Sequence, residues 1–110
     1  MICVVSEDFG QQAVNCEESH KPGDMLWERQ GFHAEKSKKV KVPRLKEARA
    51  VLECEVKQFV ELGGDHVILV GRVLHAQAED GGLDAIRPLL HDSGERFRDI
   101  GKEVILKRRR

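Results

Sequence analysis

Four aliphatic residues in a row, Val67-Ile68-Leu69-Val70, follow directly on a glycine-rich stretch, Gly63-Gly64-Asp65. Successive side chains of a strand point to opposite faces, so an unbroken apolar run leaves neither face suited to water. The run therefore predicts a central strand covered on both sides and entered from a tight hairpin turn. Gly71 interrupts it. A glycine inside a strand marks a bulge, or the close approach of another backbone or a ligand. His66 stands at the mouth of the strand, where a turn histidine ordinarily hydrogen-bonds to its own loop.

The residues before the turn predict the strand that pairs with it. Between Val51 and Leu62, Leu52, Cys54 and Val56 alternate with Glu53, Glu55 and Lys57. The first set is assigned to the core and the second to a wet face. The phase slips at Gln58-Phe59-Val60, where a bulge would return Phe59 to the core side. These two long strands form the spine of the expected fold.

The flanking segments are shorter. Ile2 to Val5 predicts a strand. Ser6 is placed to cap a helix over about Glu7 to Cys16, with Glu7 and Asp8 in its first turn and Phe9, Ala13 and Cys16 near one face. Asp24 is a second cap, for a helix from Met25 to Gln30 that Gly31 ends. Lys39-Val40-Lys41-Val42 alternates with a period of two and predicts a strand with one wet face, which Pro43 ends or confines to an edge. Leu45 to Ala50 suggests a helical turn. Gln77 closes the central strand, with His75 at its wet end, before the turn Asp80-Gly81-Gly82. Leu83 to Arg87 is ambiguous. Pro88 to His91 is extended, Asp92-Ser93-Gly94 turns, and Arg96-Phe97-Arg98 follows. Val104 to Leu106 is a candidate last strand. Lys107 to Arg110 forms a basic tail, either a solvated end or an electrostatic docking segment. The sum is a mainly β, antiparallel protein with one or two short helices.

Composition narrows the function classes. A chain of 110 residues holds one domain with one core. Nineteen basic residues balance nineteen acidic ones, so net charge favours neither nucleic acid nor an anionic membrane. The lysines between Lys36 and Lys46 have acids on either side, Glu35 and Glu47, and lack an aromatic platform, which makes a nucleic-acid interface the weaker reading of them. Cys3, Cys16 and Cys54 are odd in number and show no C-x-x-C pair. That argues against disulfides and structural zinc, and for a reducing, cytoplasmic setting. No apolar run approaches the ~20 residues of a membrane span. Met1-Ile2-Cys3-Val4-Val5 lacks the basic lead-in of a signal peptide. There is no phosphate-cradling glycine loop, no G-x-S-x-G and no H-E-x-x-H, hence no candidate metal ligand set or nucleophile.

A series of short motifs carries more than the periodicities do. Leu52-Glu53-Cys54-Glu55-Val56, Gly64-Asp65-His66, Val70-Gly71-Arg72-Val73, Arg87-Pro88-Leu89-Leu90, Gly94 and Phe97 occur in that order. Upstream lie Val4-Val5-Ser6-Glu7-Asp8, Gly31-Phe32 with Ser37, and Val42-Pro43 before Glu47-Ala48. Together they resemble the flavin reductase-like family, FMN-binding split β-barrels. The resemblance implies that residues 1–106 form the C-terminal two-thirds of a family domain, starting at a mid-domain strand, with 107–110 as a tail. It implies a partial split barrel whose open edges pair in a homodimer, with flavin near the subunit interface. It implies hydride transfer from NAD(P)H to FMN, FAD being possible. His66 would be the catalytic residue beside the flavin–nicotinamide stack. Trp27, Ser37, Asp65, His66, Arg96 and Phe97 would contact cofactor, with Arg96 or Arg98 on a phosphate. For Trp27 the residues themselves favour a core role over a flavin contact, since lone tryptophans usually serve packing, and Cys54 reads as a small buried hydrophobe. The alternatives are a non-catalytic flavin-binding or subunit-interaction module and, less favoured, a nucleic-acid module.

Overall fold

A computed structural model of the chain describes residues 1–109. Its spine is a long antiparallel ribbon of β4 (Ala50–Glu61) and β5 (Val67–Ala78). The intervening turn needs two left-handed residues, which Gly63 and Gly64 supply at φ +89° and +79°. β1 (Ile2–Cys3) pairs antiparallel with β4, giving a three-stranded sheet in the order β1-β4-β5. Two small ribbons complete the strands: β2 (Ala34–Glu35) with β3 (Arg44–Leu45), and β6 (Leu90–Ser93) with β7 (Arg96–Arg98). The helices are short: α1 (Gly10–Asn15) behind a 3₁₀ turn at Glu7–Phe9, α2 (Leu26–Arg29) and α3 (Leu83–Ile86). The fold is mainly β and antiparallel, as the periodicities indicate.

The core lies at one end of the ribbon. Phe9, Leu26, Phe32 and Val51 are buried there, with the Phe9 and Phe32 rings meeting edge to face at 5.7 Å. Burial of each such side chain contributes about 1.5–3 kcal/mol. N- and C-terminal segments are tied together beside this core. Ser6, fully buried, donates its hydroxyl proton to the Ile86 carbonyl, and the Leu89 amide donates to Val5. Ser6 therefore caps no helix; its hydroxyl is spent across the chain.

Several expectations change. β5 is an edge strand in the described chain, and Val67 to Val70 are exposed on both faces. Their apolarity is real, but no other element of the described residues lies over them. One bulge, at Val56/Gln58, falls a step earlier than the predicted slip, another at Glu53/Cys54 was not expected, and Phe59 stays 68% exposed. On β4 the buried face carries Val51 and Glu53, while Leu52 and Cys54 are half-buried. The Lys39–Val42 alternation forms bends rather than a strand, because Glu53 draws the backbone inward. Leu45 to Ala50 turns without a helix, and Val104 to Leu106 forms no strand. His75 is not at a wet end: its ring is half-buried and its Nε2 is buried without a partner. Arg110 of the tail lies outside the described residues.

Candidate functional site

A cavity of about 500 Å³ opens between α1, α2 and the β2–β3 ribbon. Phe9, Ala13 and Cys16, the predicted helix face, form one wall, and Trp27 and Phe32 form another. Val42 and Pro43 close the third side. The lining is mostly apolar, and the volume is in the range of small-molecule sites.

The segment carrying Val42 is held by an arrangement that the alternation of β4 conceals. Glu53 is 0% exposed. Its carboxylate accepts backbone N–H bonds from Lys38 at 2.9 Å, Lys39 at 2.6 Å and Val40 at 3.3 Å. Burial alone would raise its pKa; these amides, with His75 nearby, outweigh that and hold the carboxyl below the ordinary glutamate value. Ser37, also buried, donates its hydroxyl to the Val42 carbonyl at 2.6 Å and closes the loop. Glu53 is the residue that reading by alternation missed. The signal was present: Glu53 shares its phase with Val51, and the lysine-rich loop has no other acid to organise it.

A second anchor is Glu47, which accepts from the His33 backbone amide and meets His33 Nδ1 at 2.6 Å. Burial pushes the Glu47 carboxyl up, but the His33 bonds outweigh it and leave it below the ordinary value.

The other predicted contacts are dispersed. Trp27 lines the cavity, and Ser37 stands behind its wall with its hydroxyl already bonded. Asp65 and His66 sit at the ribbon tip with side chains 95% exposed, 3.5 Å from one another. Arg96 and Phe97 lie on β7, with Phe97 stacked on His91 at 4.7 Å and Arg98 bound to Asp92. Phe97 borders a separate cleft of about 550 Å³ against α1, with Glu7, Glu17 and Glu95 on its rim. One chain thus gathers Trp27 and the Ser37 loop around a cavity, and brings neither His66 nor Arg96 to it. Cys54 is half-buried against Gly71, where an added Cβ would stand 3.2 Å from the Cys54 Cβ. Close approach of a neighbouring strand is the reason for that glycine. Among the described residues, no group of three or more His, Cys, Asp or Glu side chains could hold a metal. No helix of the described residues is long and apolar enough to cross a membrane.

Residues 1–101 match the family described as flavin reductase like domain. The chain belongs to this family. A protein of Aquifex aeolicus, itself uncharacterised, is 33% identical over 102 residues, which are 93% of this chain and 50% of that protein. The Bacillus subtilis protein YwrF is 30% identical over 116 residues, covering 93% of this chain and 55% of its own. This family member thus spans about half the length of the curated relatives it matches. Among solved structures, a Shewanella frigidimarina protein with a flavin-reductase split barrel domain superposes with a TM-score of 0.85 at 16% identity. Nitrilotriacetate monooxygenase component B from Bacillus cereus superposes with a TM-score of 0.83 at 21% identity. These alignments take in 96% and 94% of this chain, and 58% and 57% of those. The fold is that of the split-barrel flavin reductases.

Proposed function

We propose that this chain is an NAD(P)H-dependent flavin oxidoreductase that works as a homodimer in the cytoplasm. The observation that carries the reading is the apolar cavity beside Trp27 in a flavin-reductase fold. Its flat aromatic and aliphatic walls suit an isoalloxazine ring, FMN being favoured and FAD the alternative. They suit the ring's faces; hydrogen-bond donors for its polar edge must come from elsewhere. A bound flavin would supply the hydride chemistry, with NADH or NADPH as the donor, so the protein's task is to bind, orient and exclude water. Trp27 and Phe32 would pack on the ring, and the Ser37 loop would shape the wall. His66 and Asp65, at the tip of the bare ribbon, are free to reach a second copy and donate or accept there. Arg96 beside Phe97 would meet an anionic group bidentately. The ribbon's exposed apolar faces support the homodimer, because an open edge with two apolar faces favours pairing. Three free thiols are consistent with a reducing cytoplasm.

The test is titration of the full chain with FMN and with FAD, followed by NADH and NADPH consumption. Saturable quenching of flavin fluorescence with turnover of either nucleotide is the expected result. Quenching without turnover favours the second reading, a flavin-binding module that needs another subunit, which the bare ribbon also suits. Absence of quenching at high micromolar flavin overturns both.

A further inference from the structure

We propose that the Lys36–Val42 loop docks the phosphate groups of a nucleotide and that Glu53 is the residue that positions it. This rests on the cavity beside the loop being a flavin or nicotinamide site. Lys36, Lys38, Lys39 and Lys41 are all exposed, and among the described residues none of them makes an ion pair. Most of the described arginines behave otherwise, Arg72 reaching Glu55 among them. Arg29, Arg44, Arg49, Arg87 and Arg98 are each bound to a carboxylate. In a chain with no net charge, four unpaired cations within six residues are a local excess that an anion would relieve.

The shape of the loop is imposed rather than left to the lysines, which repel one another. Glu53 takes the amides of Lys38, Lys39 and Val40 into the interior, and Ser37 pins the carbonyl of Val42. The carboxylate is spent on backbone donors and buried, so it orders the loop without pairing with the ammonium groups. The loop ends in Val42 and Pro43, which wall the apolar cavity. A surface that is apolar at one end and cationic at the other fits a flat aromatic ring that carries phosphate. A polynucleotide fits less well, because no aromatic side chain stands exposed beside the lysines and Glu35 flanks them.

The phosphate could belong to the flavin or to the nicotinamide nucleotide, and the experiment separates them. Amide NMR of the full chain is followed on addition of inorganic pyrophosphate. Saturable shifts confined to residues 36–42, weakened by salt and absent from a K38Q/K39Q/K41Q variant, are expected. No shifts there, or equal shifts at Lys21, Lys46 and Lys102, overturn the proposal whether or not flavin binds. Binding of FMN is then compared with riboflavin, and KM for NADH with that for dihydronicotinamide riboside. The phosphorylated member of one pair should be favoured about tenfold, the size of a charge-assisted contact. The triple variant should erase that preference and leave affinity for the unphosphorylated member unchanged. Glu53→Asp, which shortens the anchor, should reduce the same preference, whereas a purely structural role would weaken both members equally. Tighter, more steeply salt-dependent binding of oligo(dT) than of pyrophosphate overturns the proposal in favour of a polyanion surface. Failure of every flavin to bind, with the pyrophosphate shifts intact, removes the flavin reading and leaves the phosphate surface.

Discussion

The near end of the β4–β5 ribbon carries Val51, 4% exposed, beside the buried Glu53, and β1 covers its edge. The far end carries Val56, Phe59 and Leu62 opposite Val67 to Val70, all exposed to solvent except the half-buried Val60 between them. The two ends are made of the same residue types and joined by the same ladder of backbone bonds. What differs is the neighbour. α1, α2 and the Ser37 loop pack at one end, and among the described residues nothing packs at the other. The apolarity of a strand therefore states that something covers it, and leaves open which chain supplies the cover.

The comparison can be broken from either side. Phe9→Ala removes a ring 7% exposed that meets Phe32 edge to face, and it should cost about 3–5 kcal/mol in urea unfolding. Gly71→Val should cost about 1–3 kcal/mol in the same assay, because the added Cβ would stand 3.2 Å from that of Cys54 and the neighbouring strand must give way to it. Acid should act on the near end. Glu53 and Glu47 have pKa values held below the ordinary 4.5, so their contribution is complete above that pH and is lost as pH falls further below it. Thermal unfolding followed down through pH 4 should show this loss, and Glu53→Gln should flatten it. The smallest effect is expected at the far end. Phe59→Ala should change the stability of the isolated chain by no more than about 0.5 kcal/mol. In sedimentation velocity the same variant should weaken self-association. A Phe59→Ala cost as large as that of Phe9→Ala at high dilution would show that the far end is covered within one chain.

The strands were legible where chemistry repeats. Val51 to Leu62 and the run after Gly64 appear as β4 and β5 within a residue or two, and the paired glycines mark their turn. α2 was legible from its end, its C-cap Gln30 standing just before Gly31, but Asp24 does not cap it: the first turn has no side-chain cap, and the Asp24 carboxylate is bound to Arg29. The lysine loop was misread because Lys39-Val40-Lys41-Val42 has strand periodicity, while the force that bends it comes from Glu53, at least thirteen residues away. Ser6 was misread for the same reason, since a local cap and a bond to Ile86 look alike until the chain is folded. Of the candidate site, Trp27 and the Ser37 loop meet at the cavity, whereas Asp65, His66, Arg96 and Phe97 lie on other elements.

Residue order alone determined the antiparallel ribbon, its turn and the family, because alternation, glycine conformation and motif spacing are local properties of the chain. Only the tertiary structure decided which apolar faces are covered, that a glutamate is the buried anchor of a basic loop, and which candidate residues share a cavity. Those outcomes depend on which groups compete for the same donors and the same space, and that competition exists only once distant segments are brought together.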